Sequence, residues 1–88
     1  MPTVQVRYLA GFSTLAGRRS ERLRTRPGQT LGELLTRLGR RHGRAFARAL
    51  ASTEGREVMF LLNDRVVGTD AVLRHNDRLI ISRPMGGG

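Results

Sequence analysis

Eighty-eight residues with a net charge of +9, sixteen basic residues against seven acidic ones and no cysteine, make one small basic domain. A chain this short buries only about 60–65% of its unfolded surface, which excludes a second active-site domain and argues against a self-contained enzyme. The missing thiols exclude a disulfide framework, a zinc–thiolate or iron–sulfur site and a cysteine nucleophile, so any sulfur chemistry needs a partner's thiol.

No apolar run nears the roughly 18 residues of a membrane span, and Met1-Pro2-Thr3-Val4-Gln5 lacks the charged and apolar regions of a signal peptide. The expected location is the cytoplasm, with no membrane partner. Every basic residue is arginine, and the resulting field attracts acidic protein surfaces or nucleic acid. One tyrosine and three phenylalanines offer little base-stacking platform, which weighs against nucleic acid.

Along the chain, Val4-Gln5-Val6-Arg7-Tyr8 alternates apolar and polar residues and predicts a half-buried strand. Leu9 to Gly17 reads as a turn, and Glu21 to Arg26 as a return strand with Leu23 and Thr25 inward. Thr30-Leu31-Gly32-Glu33 is a capping box, and Leu31, Leu34, Leu35 and Leu38 then form one helical stripe that stops near Gly43. Arg44 to Leu50 predicts a second short helix docked by Phe46 and Leu50, followed by a loop over Ser52 to Glu57.

Val58-Met59-Phe60-Leu61-Leu62 is a continuous apolar run, expected as the strand at the sheet's centre. Asn63-Asp64 is a turn pair, Arg65-Val66-Val67 a short return strand, and Leu73 a core plug on a helical turn. Asn76-Asp77 leads into the last strand, Arg78 to Ser82, whose pleat puts Leu79 and Ile81 inward and leaves Ile80 and Ser82 on the opposite face. The order predicts an α+β domain with one main helix across a mixed sheet of four to five strands. Residues 1–83 form the domain and 84–88 a flexible glycine-rich tail.

That tail, Pro84-Met85-Gly86-Gly87-Gly88, is the most telling segment. Glycine has no Cβ, so such a run threads a slot too narrow for other residues and carries a carboxylate to a partner's reacting atoms. Proline stiffens its root. Frayed, passive chain is the competing reading. His42 and His75 have no ligand-spaced carboxylates and read as surface or capping residues, while Asp64, Asp70 and Asp77 read as turn residues. No catalytic residue, bound cofactor or metal site is expected.

Together these residues resemble the β-grasp, ubiquitin-like sulfur carriers of the MoaD/ThiS family. The resemblance rests on Val4-Val6-Tyr8, the Thr30 to Leu35 helix start, Leu62-Asn63-Asp64, Leu73, the block Asp77 to Ile81, and the ending Pro84 to Gly88. It departs at Arg83, where many members carry proline, at Asn76-Asp77 in place of Gly-Asp, and at Ser82, where an exposed aromatic is common.

The resemblance implies that Gly88 is adenylated by a partner using ATP and magnesium and becomes a thiocarboxylate. Gly86, Gly87 and Gly88 then enter the partner, and Ile80, Ser82, Arg83, Pro84 and Met85 dock it. Implied partners are an adenylylating enzyme, a sulfur-donor protein, an acceptor synthase and lysines open to conjugation. Molybdenum-cofactor synthesis is the favoured pathway, because thiamin carriers are more compact; thiamin, cysteine and tRNA thiolation share the tail chemistry. A basic β-grasp RNA-binding or interaction module is the reading of another class.

Overall fold

A computed structural model describes residues 1–51 and 58–83. Five strands, β1 (Thr3–Tyr8), β2 (Ser20–Arg24), β3 (Met59–Leu62), β4 (Arg65–Val66) and β5 (Asp77–Ser82), form one mixed sheet in the order β2-β1-β5-β3-β4. Helices α1 (Phe12–Ala16), α2 (Leu31–His42) and α3 (Arg44–Ala51) complete the described elements. The β1–β5 pair is parallel and the other three are antiparallel, so the first and last strands lie side by side in the interior.

Period-two alternation sets the faces. Val4, Val6 and Tyr8 of β1, Leu23 of β2, and Leu79 and Ile81 of β5 point inward and are buried, as are Leu31, Leu34 and Leu38 of α2. Thr30 caps α2 by accepting the Glu33 amide, while the Glu33 carboxylate accepts the Thr30 amide, completing the box. The Leu31 and Gly32 amides donate to the Ala71 and Thr69 carbonyls, so the 69–71 segment satisfies the helix start as well. A Cβ on Gly32 would sit 3.3 Å from the Thr69 oxygen, which explains the glycine inside a helix. Gly43, with φ of 101°, ends the helix where no β-carbon is tolerated without strain.

Three expectations change. The centre of the sheet is β5, not the apolar run at 58–62; β3 is half-buried along its length because only β4 lies beyond it and one face is open. Leu73 is buried, but from extended chain rather than a helical turn: its neighbour Val72 bridges Thr30, and its own amide donates to the Gln29 carbonyl. Within the 9–17 segment, Phe12–Ala16 forms the helix α1, which lowers Phe12 into the core against Phe46. The second helix is present as α3 with Phe46 buried. The expected loop at 52–57 lies outside the described residues.

Candidate docking face and root of the tail

The strand that precedes the tail is the central one, held on both sides by β1 and β3. Its start is fixed by a buried aspartate. The Asp77 carboxylate accepts from the Arg74 amide at 2.7 Å and from Asn63 Nδ2 at 2.8 Å, while Asn63 Oδ1 accepts the Arg78 amide. Asn63 and Asp64, with φ of 51° and 71°, make the tight β3–β4 turn. That turn is thereby clamped to β5, a structural role in keeping with the turn reading of Asp77.

Opposite the helices the sheet is open. Cross-strand register sets Ser20, Arg7, Ile80, Leu61 and Val66 in one row, with Arg22, Gln5 and Arg78 in the next. Met59 stands across from Ser82. Met59, Leu61 and Ile80 are half-buried and Val66 is 70% exposed, so an apolar strip crosses this face with arginines along its β1–β2 side. Ile80 lies in that strip as the pleat requires. Ser82 does not present the exposed group expected of it: it is buried, and its hydroxyl turns back toward the Arg83 carbonyl. A serine is too short to rise above Met59 beside it.

Arg83 lays its guanidinium over the ring of buried Phe12, 5.1 Å from the centroid, and so pins the end of the described chain to α1. The remaining expected site residues, Pro84, Met85, Gly86, Gly87 and Gly88, lie outside the described residues. Among the described residues no group of three His, Cys, Asp or Glu side chains converges to hold a metal ion. No helix among them is long and apolar enough to cross a membrane.

One constellation escaped the sequence reading. Glu21 is buried, and its carboxylate accepts from the Tyr8 hydroxyl and His42 Nε2, both at 2.5 Å, and from Arg41 Nε at 2.8 Å. His42, expected at the surface, is largely buried there with its ring against Tyr8 and Phe46. Burial alone would raise the Glu21 carboxyl, but the Tyr8 and His42 hydrogen bonds and the nearby cations outweigh it and hold it below the usual range. Burial first, and the bond to Glu21 second, push the Tyr8 phenol well up. The signal was present in the parity of Tyr8 and Glu21 and in His42 extending the Leu34–Leu38 stripe. The cluster bolts the β1–β2 hairpin to the end of α2, at the end of β1 where Tyr8 pairs with Ile81 of β5.

A protein-family model, the ThiS family, matches residues 6–88. The chain belongs to the ThiS family. No curated protein matches it in sequence. Among solved structures it is similar to SAMP1 from Haloferax volcanii, with a TM-score of 0.80 at 21% identity over 98% of this chain and 99% of that one. It is also similar to a Pyrococcus furiosus protein described as molybdopterin converting factor, subunit 1, with a TM-score of 0.78 at 25% identity over 97% of this chain and 100% of that one. Urm1 from Trypanosoma brucei superposes with a TM-score of 0.73 at 20% identity over 98% and 95% of the two chains. The fold is therefore the β-grasp, ubiquitin-like one expected, and ThiS-family members are small carrier proteins rather than enzymes.

Proposed function

We propose that this ThiS-family chain is a sulfur carrier whose Gly88 carboxylate is activated by a partner and converted to a thiocarboxylate. The carrying observation is that the family match runs through Gly88, with three glycines following a strand locked into the middle of the sheet. A carboxylate is a poor acylating agent, because its charge must be displaced with the leaving oxygen. The partner joins it to the α-phosphorus of ATP, releasing pyrophosphate, with magnesium balancing the phosphates. The terminal sulfur of a protein persulfide attacks the acyl carbon and expels AMP. A thiol then cleaves the sulfur–sulfur bond and leaves the thiocarboxylate on Gly88.

The body's part is positional. Five residues from Pro84 to Gly88 span at most about 17 Å when extended, so the sheet face must dock close to the partner's entrance. The strip of Ile80, Leu61, Met59 and Val66 supplies that contact beside the root of the tail. The acceptor we favour is the synthase that sulfurates the molybdenum-cofactor precursor. Acceptors in thiamin, cysteine or tRNA thiolation would receive the same group by the same chemistry.

Intact-mass measurement after incubation with ATP, an adenylylating enzyme and a persulfide donor tests the reading: oxygen replaced by sulfur at Gly88 adds about 16 Da. Adducts joining the chain to lysines of other proteins would instead identify a protein modifier. No change under conditions that load a known carrier would refute the proposal.

A further inference from the structure

The open sheet face contains a hollow of about 340 Å³ lined by Gln5, Arg7, Ser20, Asp64, Arg78, Leu79 and Ile80. Its base is the central pair of strands, and Arg7 and Arg78 stand on adjacent strands one register step apart, with Gln5 paired to Arg78 and Ser20 paired to Arg7. Arg22 flanks Gln5 from β2. Two guanidinium stems, one amide and one hydroxyl, all able to donate hydrogen bonds, thus edge a single concavity, with Asp64 as the one acidic group among the described residues on its rim.

Among the described residues, charge at this place is barely spent inside the molecule. Arg41 and Arg18 face Glu21, Arg37 donates to the Arg24 carbonyl, and Arg83 covers Phe12. By contrast, the ion pairs among the described residues include neither Arg7 nor Arg22. Arg78 pairs among the described residues with Asp64, at 3.7 Å, and both side chains are mostly exposed at 67% and 82%, a pair that solvent screens. The hollow is also rigidly framed, because the Asn63 side chain ties the turn carrying Asp64 to Asp77 and to the Arg78 amide.

We infer that this recess receives a carboxylate side chain from a docking protein, set next to an apolar residue that covers Ile80 and Leu61. The neighbouring apolar strip decides the class of partner. A protein face can bury Met59, Leu61, Ile80 and Val66 while inserting an acid beside them; a phosphodiester strand cannot, and no aromatic residue stands in these rows to stack a base. Charge complementarity at the recess then fixes the orientation in which the strip is covered, and with it the direction in which the tail leaves.

This inference rests on the carrier reading only in taking the open face as the docked one, and its test does not involve the tail. The full-length chain, labelled with nitrogen-15, is titrated with a blocked Leu-Glu-Glu-Leu peptide, with its Leu-Gln-Gln-Leu counterpart and with inorganic phosphate. The expected result is saturable amide shifts at Gln5, Arg7, Arg78 and Ile80 with the acidic peptide alone. Affinity should fall about tenfold or more in the exposed double variant Arg7→Gln/Arg78→Gln and stay unchanged in Arg44→Gln/Arg48→Gln on the helical face. Equal shifts with the glutamine peptide, shifts spread over the helices, or an undiminished response of the double variant would overturn the proposal. Phosphate binding at the same amides in preference to the peptide would overturn it in favour of a phosphate-bearing ligand. Failure here with sulfur still loading on Gly88 would leave the carrier reading intact.

Discussion

Replacing Glu21 by glutamine keeps the side chain's shape and removes its charge, and the surroundings allow the cost to be worked out. The carboxylate side chain is 1% exposed and accepts from Tyr8, Arg41 and His42. Removing one member of a buried, hydrogen-bonded charge pair costs about 3–5 kcal/mol; Arg41 is 48% exposed and can rehydrate, which places Glu21→Gln near the lower end, about 3 kcal/mol. A domain of this size has about 4–13 kcal/mol in all, so the variant should melt roughly 12–24 °C lower at neutral pH.

The acid limb gives a second, independent signature. Because the folded Glu21 carboxyl titrates below the 4.5 of an ordinary glutamate, its contribution is complete above that pH and drains away as pH falls through the folded value. Thermal melts followed by far-ultraviolet circular dichroism should show the wild type losing its advantage over Glu21→Gln as pH drops below about 4.5. A variant melting within a few degrees of wild type at neutral pH, or the same gap at every acidic pH, would refute the reasoning.

Tyr8 predicts the opposite limb: its phenol is raised above 10.0, so stability should decline as pH climbs past that value in an alkaline melt series, and less so in Tyr8→Phe. Leu79→Ala, at a fully buried position of the central strand, should cost about 2–5 kcal/mol in denaturant titrations, and half-buried Ile80→Ala distinctly less; equal losses would contradict the face assignment. Deleting Gly87-Gly88, or placing valine at Gly87, should leave the melting temperature unchanged and abolish adenylation, measured as ATP–pyrophosphate exchange with the activating enzyme. Raising salt from about 50 to 200 mM should slow docking to an acidic partner through screening, whereas RNA binding through six or more phosphates would weaken about a thousandfold, which a filter-binding assay separates.

Much of the fold was legible because its signals are local. Thr30 and Glu33 cap α2 through contacts three residues apart, and Val4, Val6 and Tyr8 declare their face by alternation alone. What stayed hidden depends on pairing across the chain. An apolar run at 58–62 cannot reveal that a later strand inserts between it and β1, and hydrophobicity alone points to a centre it does not occupy. Leu73 is legible as a buried residue, but its backbone obeys Thr30 and Gln29, more than forty residues earlier. The Glu21 cluster was missed for the same reason: glutamate, tyrosine and histidine look unremarkable one by one, and only the closing of the hairpin under α2 gives each its partner. On the docking face, alternation located Ile80 but could not show that Ser82 sinks beside Met59 or that Arg83 turns onto Phe12.

The side-by-side pairing of β1 with β5 has a consequence for synthesis. The strand made first is completed by the strand spanning Asp77–Ser82, and long-range pairing of this kind cannot begin until that segment has left the ribosome. A nascent chain halted before Asp77 would hold β1 and β3 apart with a gap where the sheet's middle belongs, exposing Val6, Tyr8 and Phe60 to proteases and chaperones. Translation order thus acts as an inspection step: a body able to pack and persist is one whose ribosome has already read to the threshold of the glycines.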